Sequence, residues 1–183
     1  MIHRDMAFGV ANKVEPIHAH GFFWISREGI VNQTIIFDYY DDKGYYYSLL
    51  HKPDEYKKEM TKLFYSMQSF LDQEKILMNN VKCKPKVLTV SLDHRGFESL
   101  PCITFLITFM GRTKIGSNKY ENFYEEGIVE YDYEAYWVFP KKTKILEVES
   151  STEYEIVAKN ILIMRARRGD KYSGYEKIVF DMR

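Results

Sequence analysis

The stretch Ile128-Val129-Glu130-Tyr131-Asp132-Tyr133-Glu134-Ala135-Tyr136-Trp137-Val138-Phe139 decides the fold class. Val129, Tyr131, Tyr133, Ala135, Trp137 and Phe139 alternate with Glu130, Asp132 and Glu134. Successive side chains of a strand leave on opposite faces, so this period puts apolar groups on one side and carboxylates on the other. Other stretches read the same way, at 17–26, 30–40, 45–50, 86–93, 101–110, 144–149, 153–157, 161–167 and 175–180. Residues 101–110 are apolar on both faces, which predicts the central, most buried strand. Asp41-Asp42-Lys43-Gly44 predicts a hairpin turn leading back into 45–50. The last two strands are expected to pair as a hairpin around 168–174, and the polar segment 111–126 to be a mobile loop.

Only one segment carries a long helical pattern. Pro53 suits a first helical position and Asp54 and Glu55 suit the positive end of the helix dipole. Tyr56, Met60, Leu63, Phe64, Met67, Phe70 and Leu71 then form one apolar stripe. The helix is expected to run from 53 to 72, with an extension toward 78 stopped by Asn79-Asn80, and to lay Met60, Leu63, Phe64, Met67 and Phe70 on strand 103–110. Short turns between consecutive strands predict antiparallel pairing. The fold class is therefore α+β: a large bent antiparallel sheet or partly open β-barrel of about nine strands, with one long amphipathic helix packed on it. Residues 1–15 read as a flexible N-terminal arm and 16–183 as a single α+β domain.

The chain has 183 residues, with 26 basic and 26 acidic side chains. That balance disfavours bulk nucleic-acid binding, which calls for a basic excess, but leaves a local contact open. Two cysteines, Cys83 and Cys102, make no disulfide framework. No apolar run is long enough to span a membrane and the N-terminus lacks a signal pattern, so a cytoplasmic protein is expected. Charged residues at 28% with three glutamines suit a thermophile.

Four groups of residues offer chemistry. His18 and His20 share a strand face, so both imidazoles can reach one divalent metal, with a third ligand from Asp93, His94 or an acidic strand. Glu130, Asp132 and Glu134 form a carboxylate row that could hold a cation through oxygen. The plainer readings are a pair of surface histidines and a solvated sheet face. Arg165, Arg167, Arg168 and Lys171, backed by Tyr172, could grip phosphate and stack a base; the plainer reading pairs them with Glu153 and Glu155. Asp93 could orient His94 as a catalytic base. No phosphate loop, dinucleotide fingerprint or Cys-x-x-Cys pair is present. Tyrosine is abundant on strand surfaces, as at interfaces, so the leading expectation is a non-catalytic binding module able to form a homodimer. The alternatives are a metal-assisted hydrolase of a phosphate-containing substrate, using His18 and His20, and an RNA-contacting protein using the hairpin at 165–171.

Overall fold

The computed structural model describes residues 14–183. The chain opens with β1 (Val14–Ile25) and β2 (Ile30–Asp41), an antiparallel hairpin. Its turn contains Gly29 at φ +87°, where a Cβ would stand 2.2 Å from the Gly111 carbonyl oxygen, so only glycine lets the two chains approach. Val14 and Glu15 already belong to β1, and the rest of the expected arm, residues 1–13, lies outside the described residues.

Residues 45–50 do not return as a strand. They form a short helix, α1 (Tyr45–Leu49). The buried Asp41 carboxylate accepts the Tyr46 N–H at 2.8 Å, and Gly44 takes the left-handed conformation that turns the chain into the helix. Tyr46 and Leu49 are its buried pair, three residues apart, a spacing that five residues are too few to separate from a strand pattern.

The long helix α2 (Pro53–Gln73) starts where expected and buries Met60, Leu63, Met67 and Leu71. Phe64 and Phe70 are only partly buried, and the helix lies along β5 (Lys86–His94) rather than along 103–110. It does not extend to 78. Glu74 is extended and β3 (Lys75–Met78) follows, turning through Asn79-Asn80 into β4 (Val81–Cys83). Both asparagines have positive φ, 52° and 65°, the pairing a tight hairpin turn needs. They are a hairpin signal rather than a helix stop.

The remaining strands are β6 (Pro101–Met110), β7 (Gly116–Phe123), β8 (Gly127–Ile128), β9 (Asp132–Val138), β10 (Lys144–Glu149), β11 (Glu153–Val157), β12 (Ile161–Ala166), β13 (Lys171–Tyr172) and β14 (Tyr175–Met182). They make a seven-stranded sheet in the order β11-β12-β9-β1-β2-β6-β5, a five-stranded sheet in the order β10-β14-β7-β3-β4, and a two-stranded pair β13-β8. Both larger sheets are open, so no barrel closes among the described residues.

Four expectations change here. The middle of the large sheet is β1, and β6 lies one place from the edge. β9 pairs with β1 in parallel, so the sheet is mixed. β12 and β14 belong to different sheets and form no hairpin. Half of 111–126 is the strand β7, whose asparagines are buried with their amide N–H groups bonded: Asn118 Nδ2 donates to the carbonyls of Lys114 and Gly116, and Asn122 Nδ2 donates to Glu74 at 3.0 Å. A buried polar strand is admissible when its amides find partners, but it leaves no hydropathy signature.

The two larger sheets meet through aromatic rings. Phe23 of β1 stacks on Trp137 of β9 at 4.4 Å, and Trp137 meets Tyr120 of β7 at 4.7 Å. Phe139, just past β9, meets Phe180 of β14 at 4.7 Å. The apolar half of the 128–139 alternation is buried as expected, though only Asp132–Val138 of it is strand, which leaves Asp132 and Glu134 on the opposite, outer face of the large sheet.

Candidate functional site

The outer face is set by the alternation along β1. Ala19, Phe23 and Ile25 are buried, while His18, His20, Phe22 and Trp24 point the other way. Their rings run as a ladder, with centroids 4.3 Å apart from His18 to His20, 6.1 Å from His20 to Phe22 and 5.7 Å from Phe22 to Trp24. Tyr136 of β9 stacks on Phe22 at 5.2 Å, because the parallel register sets these two residues side by side. Exposed apolar side chains occur on this face at Trp24, 44% exposed, and two strands away on β6 at Leu106, 40%, and Met110, 59%.

One bulge governs where the histidines fall. The pairing of β1 with β2 shifts between Pro16 and His18, so Ile17 is an extra residue and His18 stands opposite Asp38. A bulge resets the alternation of a strand and so re-aims the side chains beside it. His18 Nδ1 lies 3.9 Å from Asp38 Oδ2. His20 Nε2 lies 3.9 Å from Glu134 Oε2, across the parallel pair. Each carboxylate is held from its far side by an arginine: Arg95 Nε donates to Asp38 Oδ1 at 2.9 Å, and Arg165 Nε donates to Glu134 Oε1 at 3.1 Å. The Tyr136 hydroxyl also donates to Glu134. A row of charged and imidazole groups thus crosses the sheet from Arg95 through Asp38, the two histidines and Glu134 to Arg165, and on to Glu155 at 3.6 Å.

These neighbours set the protonation states. Burial lowers the pKa of His20 from its ordinary 6.5, and the adjacent His18 lowers it further, against the pull of Asp38 and Glu134. The Tyr136 hydrogen bond holds Glu134 below the usual carboxylate range, with Arg165 adding to the effect against partial burial. The row therefore offers, near neutral pH, an uncharged imidazole at His20 beside an ionised carboxylate at Glu134. Two imidazoles and a carboxylate are donors that suit a borderline divalent ion.

The residues expected to carry chemistry separate into three places. His18, His20 and Glu134 come together in the row, with Asp132 directly opposite His18 in the parallel register. Asp132 Oδ1, however, accepts the Arg168 backbone N–H at 2.8 Å. Glu130 lies instead in a cleft of about 980 Å³ with Glu15, Glu125, Arg168 and Tyr172. Arg167 and Lys171 are exposed; the Arg167 N–H donates to Asp170, and Lys171 pairs with Ile128 in the two-stranded sheet. Tyr172 is buried. Asp93 and His94 lie at the end of β5. The Asp93 carboxylate accepts the backbone N–H of His94, and the imidazole packs edge-on against Tyr47 at 5.5 Å.

Sequence reasoning missed Asp38, Arg95 and the ladder of Phe22, Trp24 and Tyr136. Spacing within one strand could have exposed the ladder, since Phe22 and Trp24 continue the His18, His20 alternation. Asp38 and Arg95 depend on pairing register and leave no local signal.

No protein-family model matches the chain, and no curated protein matches it. Among solved structures it is similar to native leukotriene A4 hydrolase from Saccharomyces cerevisiae, at 10% identity and a TM-score of 0.37, over 93% of this chain and 29% of that one. It is also similar to a protein from Parabacteroides distasonis described as a protease, at 6% identity and a TM-score of 0.35, over 92% of this chain and 40% of the other. The chain thus spans well under half the length of either, and likeness at these scores carries no argument about fold or activity. No helix among the described residues is long and apolar enough to cross a membrane.

Proposed function

We propose that the protein is a binding module, acting by recognition rather than catalysis, whose working surface is the outer face of the seven-stranded sheet. The observation that carries this reading is the ring ladder of His18, His20, Phe22 and Trp24, with Tyr136 beside it, on the same sheet face as the exposed Leu106 and Met110 of β6. Large apolar groups grouped on one surface mark an interaction site. Aromatic residues, methionine and arginine are the types enriched at protein–protein contacts, and this face presents all three.

The partner argued for is another protein surface, a second copy of this chain included. The charges of the face are already balanced among themselves, Arg95 with Asp38 and Arg165 with Glu134 and Glu155. A phosphate backbone would have to break those pairs, whereas a neutral apolar patch on a protein need not.

Site-specific photo-crosslinking tests the reading. A benzoylphenylalanine placed at Leu106 or Trp24, in cells of the source organism, should yield discrete protein adducts. The same group at the exposed Tyr65 of α2, or at the exposed Ile115 in the loop between β6 and β7, should not. Equal labelling at all four positions, or none at 106 and 24, overturns the proposal.

A further inference from the structure

We propose that His18, His20 and Asp38 are the ligands of an exchangeable divalent metal ion of zinc-like character on the outer face of the seven-stranded sheet. This goes beyond the recognition reading and stands or falls independently of it.

One donor atom from each of the three side chains lies within 4.8 Å of the others. The edges of a tetrahedral site with bonds near 2.0–2.1 Å are roughly 3.3 Å, so side-chain rotation is enough to close the set. The backbone fixes all three positions. His18 and His20 are two apart on one strand face, and Asp38 stands directly opposite His18 because of the extra residue at Ile17. Bulges recur beside functional sites, where they re-aim a side chain.

Two further features separate the group from an ordinary wet surface. The first is orientation from outside. Metal-binding carboxylates are commonly held by a hydrogen bond at their second oxygen. Arg95 holds Asp38 Oδ1 and leaves Oδ2 as the oxygen facing His18. Glu134, held in turn by Arg165 and Tyr136, faces the ring of His20 and is placed to accept that ring's second N–H once the other nitrogen binds metal. The second feature is partial exposure, with side chains 30% open at His18 and 17% at Asp38. An ion can arrive from solvent, and a fourth position is left for water or a donor from a bound partner.

The donor set chooses the metal. Imidazole with one carboxylate suits zinc, nickel or cobalt, while calcium and magnesium ask for oxygen alone. The arginines already neutralise both carboxylates, so the affinity expected is micromolar and not that of a buried structural zinc.

The test begins with full-length protein stripped by a chelator and dialysed. Calorimetric titration with zinc chloride should give one ion per chain, and excess zinc should raise the Tm. His18→Ala and His20→Ala should each weaken binding at least tenfold, with His51→Ala, an exposed histidine outside the three-ligand group, unchanged. Cobalt(II) replaces zinc in the second measurement, which needs no variant. Visible d–d bands without near-ultraviolet thiolate charge transfer are expected. Charge transfer would put the ion on Cys83 or Cys102 and overturn the proposal. So would no zinc binding at millimolar concentration, or binding left unchanged in the His18→Ala/His20→Ala double variant.

Discussion

At the scale of single residues, burial decides which substitutions cost most. Leu63 is fully buried on α2, so Leu63→Ala should cost about 2–5 kcal/mol through the cavity it leaves. Phe64 packs at the edge of the same core while lining a groove with Tyr65 and Leu88, so Phe64→Ala should cost less than Leu63→Ala. Denaturant melts of the two variants check the order. Glu121 gives a pH prediction. Burial works to raise its pKa, but Lys119 at 2.8 Å and the Tyr175 hydroxyl at 3.1 Å outweigh it and hold the group below its ordinary 4.5. A carboxyl depressed in the fold binds its proton more readily in the unfolded chain. Its contribution to stability is therefore present above about pH 4.5 and is lost as pH falls below it. Glu121→Gln cannot titrate, so Tm measured between pH 7 and pH 3 should fall less steeply than in the parent. Parallel curves would show that the carboxylate contributes nothing to acid sensitivity.

Among the elements, those with a long or repeated signal were legible and those fixed by partners were not. The 128–139 alternation, the start of α2 and strands β5, β6, β10 and β11 could all be read from period, Pro53 and turn residues. β7 could not, because Asn118 and Asn122 are buried by side-chain amide bonding rather than by hydrophobicity. The site followed the same division. His18, His20 and Glu134 were visible as residues able to bind a metal, but which carboxylate met which ring depended on the bulge at Ile17 and on parallel pairing with β9. Neither leaves a mark in any short window. The Asn79-Asn80 turn offers a direct check of the revised element. Asn80 has φ 65°, a conformation costing roughly 1–2 kcal/mol for a residue with an ordinary Cβ. Asn80→Gly should hold or slightly raise the Tm, whereas Asn80→Val should lower stability by about that amount. Equal melts for both would mean that the turn is not a left-handed hairpin.

Over the whole molecule, protection should follow position in the sheet. β1 is paired on both sides at its centre, and β11 is an edge strand exposed throughout. Amide exchange followed by mass spectrometry should be slowest in β1 and its neighbours β2 and β9, and fastest in β11, since edge strands open without global unfolding. Uniform protection across the seven strands would contradict this order. The parallel pairing of β1 with β9 has a further consequence, for the order in which the protein is made. His18 meets Asp132 and His20 meets Glu134 across more than a hundred residues of intervening chain. At a synthesis rate of roughly 5–20 residues per second, β1 leaves the ribosome on the order of ten seconds before its partner exists. Throughout that interval β2 can cover one edge of β1, while the other edge stays unpaired beside a row of aromatic rings. A nascent chain halted near residue 126 should therefore be the species most apt to recruit holding chaperones or to stick to its neighbours, and release past residue 138 should end that vulnerability.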